Sequence, residues 1–270
     1  MTLHRPIGIF DAGIGSYAIV ERVRATFPSQ DILYFADRAS FPYGGKTPAE
    51  LLAVVRRAAS YLCEQGCEAV VLASNAPSVV VLDDLRAAVP VPVFGIFPPL
   101  REAIARSASK QVAVLGVASL VNSDAMKAYV DKHAVPGSDV LLVNASALVD
   151  IVERFGFLSD PAATGKAVKR FIDDLRRRAP ALDVITMSST HLPWLRPFFE
   201  AAASDVLFLD PADSVLEQLR PHASAGSGRT YCVATETGEL SLERFNDALR
   251  ALGTPHRAVP APLAADACPG

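Results

Sequence analysis

Short apolar runs of the β type alternate with longer stretches of helical pattern along nearly the whole chain. The runs stand at 7–10, 31–35, 68–73, 92–96, 111–116, 138–143, 183–187, 205–209 and 229–234. Helical patterns fall between and after them, at 17–26, 48–65, 77–88, 98–107, 121–131, 146–155, 161–178, 193–203, 211–220 and 239–251. The β runs are rich in Val, Ile and Leu. A strand that is apolar on both faces must be covered on both, and alternation with helices supplies the cover. The pattern predicts an α/β fold of mostly parallel sheets flanked by helices.

Two strand ends read almost alike. Residues 70–78 are Val-Val-Leu-Ala-Ser-Asn-Ala-Pro-Ser, and 184–193 are Val-Ile-Thr-Met-Ser-Ser-Thr-His-Leu-Pro. Each apolar run stops at small hydroxyl residues and enters a helical pattern. Matched turns of this kind predict two similar domains facing one cleft. With 270 residues the chain is long enough for both. The first domain is expected at 1–97 plus 211–256 and the second at 98–210, with crossings at Phe97-Pro98-Pro99 and Asp210-Pro211. Prolines there cannot continue a strand. The Pro/Ala-rich residues 257–270 are expected to form a disordered tail.

Half the residues are hydrophobic, a fifth are charged, and the net charge is −3 with no basic stripe, which argues against a nucleic-acid partner. No apolar segment approaches the roughly 20 residues that span a bilayer, and the start of the chain lacks a signal-peptide pattern. A cytoplasmic protein with no membrane partner is the expectation. Cys63 and Cys67 lie four apart in an amphipathic stretch, but no histidine or second cysteine pair completes a metal site. Buried helix cysteines are the simpler reading.

Ligands of open α/β sheets gather at the carboxyl ends of strands, so the chemistry is sought there. The first strand ends in Phe10-Asp11-Ala12-Gly13-Ile14-Gly15-Ser16, an acid followed by a glycine turn. The turn could present N–H groups to an anion, but the third glycine of a dinucleotide fingerprint is missing. Asp11 itself reads equally as a helix cap. The turn Pro42-Tyr43-Gly44-Gly45 could cradle a carboxylate, or be an ordinary surface turn. His191 follows three hydroxyl residues at a strand end, where a catalytic role competes with a structural one.

Together these residues resemble the glutamate racemases, within the cofactor-independent aspartate/glutamate racemase superfamily. The likeness runs over about residues 6–252. It is carried by Gly8-Ile-Phe-Asp-Ala-Gly-Ile-Gly15, Tyr34-Phe-Ala-Asp37, Pro42-Tyr43-Gly44, Ala73-Ser-Asn75, Val93-Phe-Gly-Ile96 and Ser119-x-x-x-Ser123. It continues through Val152-Glu153, Thr190-His-Leu-Pro-Trp-Leu-Arg-Pro197 and Leu209-Asp210. The resemblance implies two cysteines on opposite faces of an amino-acid α-carbon, one removing and one returning a proton. It implies that Asp11 and His191 assist them, and that Pro42, Tyr43, Gly44, Gly45, Asn75 and Thr190 hold the substrate, with Ala12, Ala76, Ser119 and Glu153 also at the binding site. A homodimer is common in that family.

Both cysteine positions hold serine here, at Ser74 and Ser189. Nearby, Ala12, Ala76, Pro77, Ser188 and Leu192 also depart from the family pattern. A thiol with pKa about 8.5 is readily made a thiolate, whereas a serine hydroxyl is a much weaker acid. Ordinary glutamate racemisation is therefore not expected. The expectation is altered acid/base chemistry on a small carboxylate or amino acid, as a lyase, hydrolase or one-base isomerase, with catalytic residues Asp11, Ser74, Ser189 and His191. The alternatives are a racemase or epimerase using Asp11 and His191 as bases, and a non-catalytic ligand-binding module. No PLP lysine motif, metal-ligand cluster or complete nucleotide fingerprint appears, so chemistry without cofactor or metal is expected.

Overall fold

The computed structural model describes residues 3–261. Ten strands form two sheets. In chain order they are β1 (Ile7–Asp11), β2 (Ile32–Ala36), β3 (Ala69–Leu72), β4 (Val93–Gly95) and β5 (Gln111–Gly116), then β6 (Asp139–Asn144), β7 (Val184–Met187), β8 (Leu207–Leu209), β9 (Thr230–Ala234) and β10 (Ala258–Pro260). The first sheet has the order β10-β9-β2-β1-β3-β4 and the second β6-β5-β7-β8. Every pairing is parallel. The central strands β1, β2, β3 and β7 are buried along their whole length, as their unbroken apolar runs require.

The chain leaves the first sheet after Gly95 and enters the second at Gln111; it leaves the second after Leu209 and rejoins the first at Thr230. β5–β8 are thus inserted between β4 and β9. One apolar core runs through both sheets and includes Ile9, Ile14 and Tyr17 from one side and Leu148, Val152, Ile185 and Leu192 from the other. The helix Pro48–Glu64 shows how locally the sequence sets its elements. Thr47 caps it in a reciprocal pairing with Glu50, and Pro48 occupies its first turn.

Two expectations need correction. Residues 258–260 are a strand, not a tail. Asn246 donates to Ala258 O at 3.0 Å and accepts from Ala258 N at 2.7 Å, so a side-chain amide holds the short strand in place beside β9. Its terminal proline suits an edge. Residues 262–270, Cys268 among them, lie outside the described residues. Cys67 is buried but lies beyond the helix, which ends at Glu64.

Candidate active site

The carboxyl ends of β1, β3, β5 and β7 converge on a cavity of about 290 Å³. β1 and β3 are neighbours in one sheet and β5 and β7 in the other, so each sheet contributes a matched pair of ends. Asp11 is the last residue of β1 and is buried. Ser74 follows β3, and Ser189 and His191 follow β7. All four expected catalytic residues line the cavity. So do Ala12, Pro42, Tyr43, Gly44, Asn75, Ala76, Ser119 and Thr190.

Two expected substrate contacts do not line it. Gly45 lies past the inward-facing part of its turn, with nothing within 4 Å of where a Cβ would stand. Glu153 lies behind His191. Its Oε2 accepts from His191 Nε2 at 2.8 Å and from the backbone N–H of Ile14 at 3.1 Å. Its Oε1 accepts from Arg38 Nη1, which also donates to Ala12 O at 3.0 Å. Arg38 is itself buried, its guanidinium within 5.5 Å of the ring centroids of Phe41 and Phe245. A buried ion pair therefore stands behind the imidazole and fixes which nitrogen carries a proton. With Nε2 donating to a carboxylate, a neutral ring keeps its lone pair on Nδ1.

The glycines after Asp11 have a packing role. A Cβ on Gly13 would stand 2.7 Å from His191 Cε1, and one on Gly15 would stand 2.4 Å from His191 Nδ1. Only glycine admits the ring this close. A Cβ on Gly44 would likewise meet Ser119 Oγ at 2.4 Å, so the first-sheet turn presses against a residue that follows β5.

Ser74 differs from the chain's capping residues. Ser123 and Ser241 cap helices with their side chains. Ser74 occupies the cap position of the helix Asn75–Ala88, yet its hydroxyl makes no cap bond. Ser78 instead donates to the Ser74 carbonyl at 2.6 Å. The Ser74 hydroxyl is thereby left to interact with Asp11. Asn75 donates to Ile96 O at 3.1 Å, and its Oδ1 is a buried acceptor with no donor among the described residues. Such an acceptor costs about 1–3 kcal/mol until something donates to it.

Burial pushes the Asp11 carboxyl up to about 6; the His191 charge, the Ala12 N–H and the Ser74 hydroxyl limit the rise. Burial acts on Glu153 in the same direction, but hydrogen bonds and charge from His191 and Arg38 outweigh it and hold Glu153 below the usual glutamate range. Two acids in adjacent positions are thus driven apart. One is tuned toward neutral pH and the other is fixed as an anion.

Comparison with known proteins follows the same outline. The family model described as Asp/Glu/Hydantoin racemase matches residues 17–219. The chain belongs to this racemase family. It is 32% identical over 262 residues to the glutamate racemase of Roseiflexus sp., covering 93% of each chain. It is 31% identical over 261 residues to that of Thermus thermophilus, covering 92% of this chain and 95% of the other. The solved Thermus thermophilus glutamate racemase, in complex with β-chloro-D-alanine, superposes with a TM-score of 0.77 at 29% identity, covering 95% of this chain and 96% of that one. These relatives are racemases by name, which agrees with the racemase part of the expectation. Nothing in them speaks for lyase or hydrolase chemistry. Among the described residues no helix is long and apolar enough to cross a membrane.

Sequence reasoning missed several members of this racemase-family cavity. Phe41, Val117, Ala118, Ser146, Val149 and Asp150 line it, and Arg38 supports it from behind. Ser188, already noted beside Ser189 as a departure from the family pattern, lines the cavity too. The residues from 146 to 150 carried no local signal, since the fold alone brings their helix to the cleft.

Proposed function

We propose that the cleft moves a proton at the α-carbon of a small amino acid without a cofactor, as a racemase-family isomerase whose thiols have been replaced. Asp11 is the base. Ser189, and Ser74 once Asp11 has taken the proton and no longer needs its hydroxyl as a donor, donate hydrogen bonds to the enolate that develops. His191, oriented by Glu153 through Nε2, lines the cavity from the second sheet and serves as the acid when Nδ1 is protonated as well. The observation that carries this reading is Asp11, a buried carboxylate raised to about 6 in one cavity with Ser74, Ser189 and His191. A base is most effective when its pKa lies near the working pH. Asn75 supports the amino-acid assignment, because a substrate ammonium would supply the donor its Oδ1 lacks.

The test is α-proton exchange in D₂O, followed by NMR over a panel of D- and L-amino acids. Exchange that Asp11→Asn reduces by at least about 100-fold is the expected result, within the usual contribution of a positioned base. Exchange unaffected by Asp11→Asn would remove Asp11 from the role of base. No exchange with any amino acid would overturn the proposal.

A further inference from the structure

The lining of the cavity carries acids but no fixed cation. Among the described residues that line it there is no lysine or arginine, while two are carboxylates, Asp11 and Asp150. His191 is engaged by Glu153, and Arg38 is engaged by Glu153 and the Ala12 carbonyl. Asp150 lies on the helix Ser146–Glu153 together with Ser146 and Val149, which line the same cavity. It is exposed, and it makes no ion pair with another described residue. Ser146 is engaged by accepting from Ala118 N at 2.9 Å. Phe41, Val117 and Val149 give the wall an apolar stretch beside the neutral donors Ser119, Ser188 and Thr190.

An amino acid whose side chain ends in a second carboxylate would bring that charge toward Asp150, with no fixed cation in the lining to offset it. Coulomb's law disfavours that arrangement most where water is partly excluded. A methylene stem against the apolar wall, ending in a positive group at Asp150, meets both features of the lining. We infer that the cleft selects an α-amino acid with a cationic side chain, an amine or guanidine on a methylene stem, and that Asp150 is the residue that selects it. The inference rests on the reading of the cavity as an amino-acid site and names the substrate class for it.

Calorimetric titration of the full chain with lysine, ornithine, arginine, alanine and glutamate, in both hands, reads the selection directly. The wild-type protein is expected to bind a basic amino acid at least tenfold more tightly than glutamate. Asp150→Asn is expected to lower the affinity ratio of the basic amino acid to alanine at least tenfold, and Asp150→Lys to turn the preference toward glutamate. Tighter binding of glutamate by the wild type, or an unchanged ratio in Asp150→Asn, overturns the inference. The α-proton exchange experiment separates its failure from that of the proton-transfer reading. Exchange confined to glutamate keeps proton transfer and overturns the selection. Asp150-dependent binding of basic amino acids without exchange keeps the selection and overturns proton transfer. No binding of any amino acid overturns both.

Discussion

His191 Nε2 lies 2.8 Å from Glu153 Oε2, across 38 residues of sequence, while Gly13 and Gly15 close on the imidazole from the first sheet. The ring is held by a carboxylate on one side and by bare backbone on the other. Gly15→Ala would put a methyl group 2.4 Å from Nδ1, a separation real Cβ atoms essentially never show, so the ring must move. Misplacement of about 1 Å in an active site commonly costs on the order of 100-fold in rate. Gly15→Ala and Gly13→Ala are expected to lose about that much α-proton exchange. Gly45→Ala, with open space around it, is expected to leave the rate within about twofold. Equal rates in all three variants would show that the ring has no part in the chemistry.

The raised Asp11 makes two linked predictions about pH. Its folded value, about 6, lies above the ordinary 3.8, so the folded protein binds a proton the unfolded chain has already lost. Asp11 therefore penalises the fold above about pH 6, and the penalty fades as pH falls toward 4. Asp11→Asn should be more stable than the wild type at pH 7–8, by on the order of 2–3 kcal/mol, with the advantage gone near pH 4. Urea denaturation across that range measures it. The exchange rate of the wild type should rise through about pH 6 as the carboxylate loses its proton. A stability gain that ignores pH would deny the burial argument.

Arg38 and Glu153 form a buried pair with little exposure on either side chain. Removing one partner strands the other charge, which typically costs 3–5 kcal/mol. Glu153→Gln and Arg38→Met are each expected to destabilise the fold by about that amount. The double variant should be less damaged than the sum of the two, with a coupling of about 1 kcal/mol or more. Additive losses in thermal denaturation would mean the pair contributes nothing as a pair.

Restoring thiols at Ser74 and Ser189 tests the inherited machinery. A thiol ionises far more readily than a hydroxyl and is the better base toward carbon. Ser74→Cys with Ser189→Cys is expected to raise α-proton exchange at least about tenfold over the wild type, which is roughly 1.4 kcal/mol of barrier. Each single variant should gain less than the pair, since one base serves one face. A double variant no faster than the wild type would show that thiols at 74 and 189 no longer serve as bases toward the α-carbon.

The alternation of apolar runs and helical patterns was legible because strands covered on both faces leave an uninterrupted hydrophobic signature; each of the nine expected strands is present. β10 escaped notice because a side-chain amide, not its own composition, holds it. The motif serines, Asp11 and His191 were visible at strand ends. Arg38 was not, because its partner lies 115 residues away and only the fold joins them. The Gly13–Gly15 turn was read for the N–H groups it could offer, yet its glycines matter for the side chains they omit. Glu153 was recognised but assigned to the substrate, because a sequence cannot show that a histidine stands in between.

The insertion of β5–β8 between β4 and β9 sets how the cleft can open. The second sheet is tied to the first by two chain crossings, at 96–110 and at 210–229. A body held by one tether can swing in any direction, whereas two tethers define an axis. Widening of the mouth then amounts to rotation about that line. Parting of the Gly44 turn from Ser119 would leave both tethers attached.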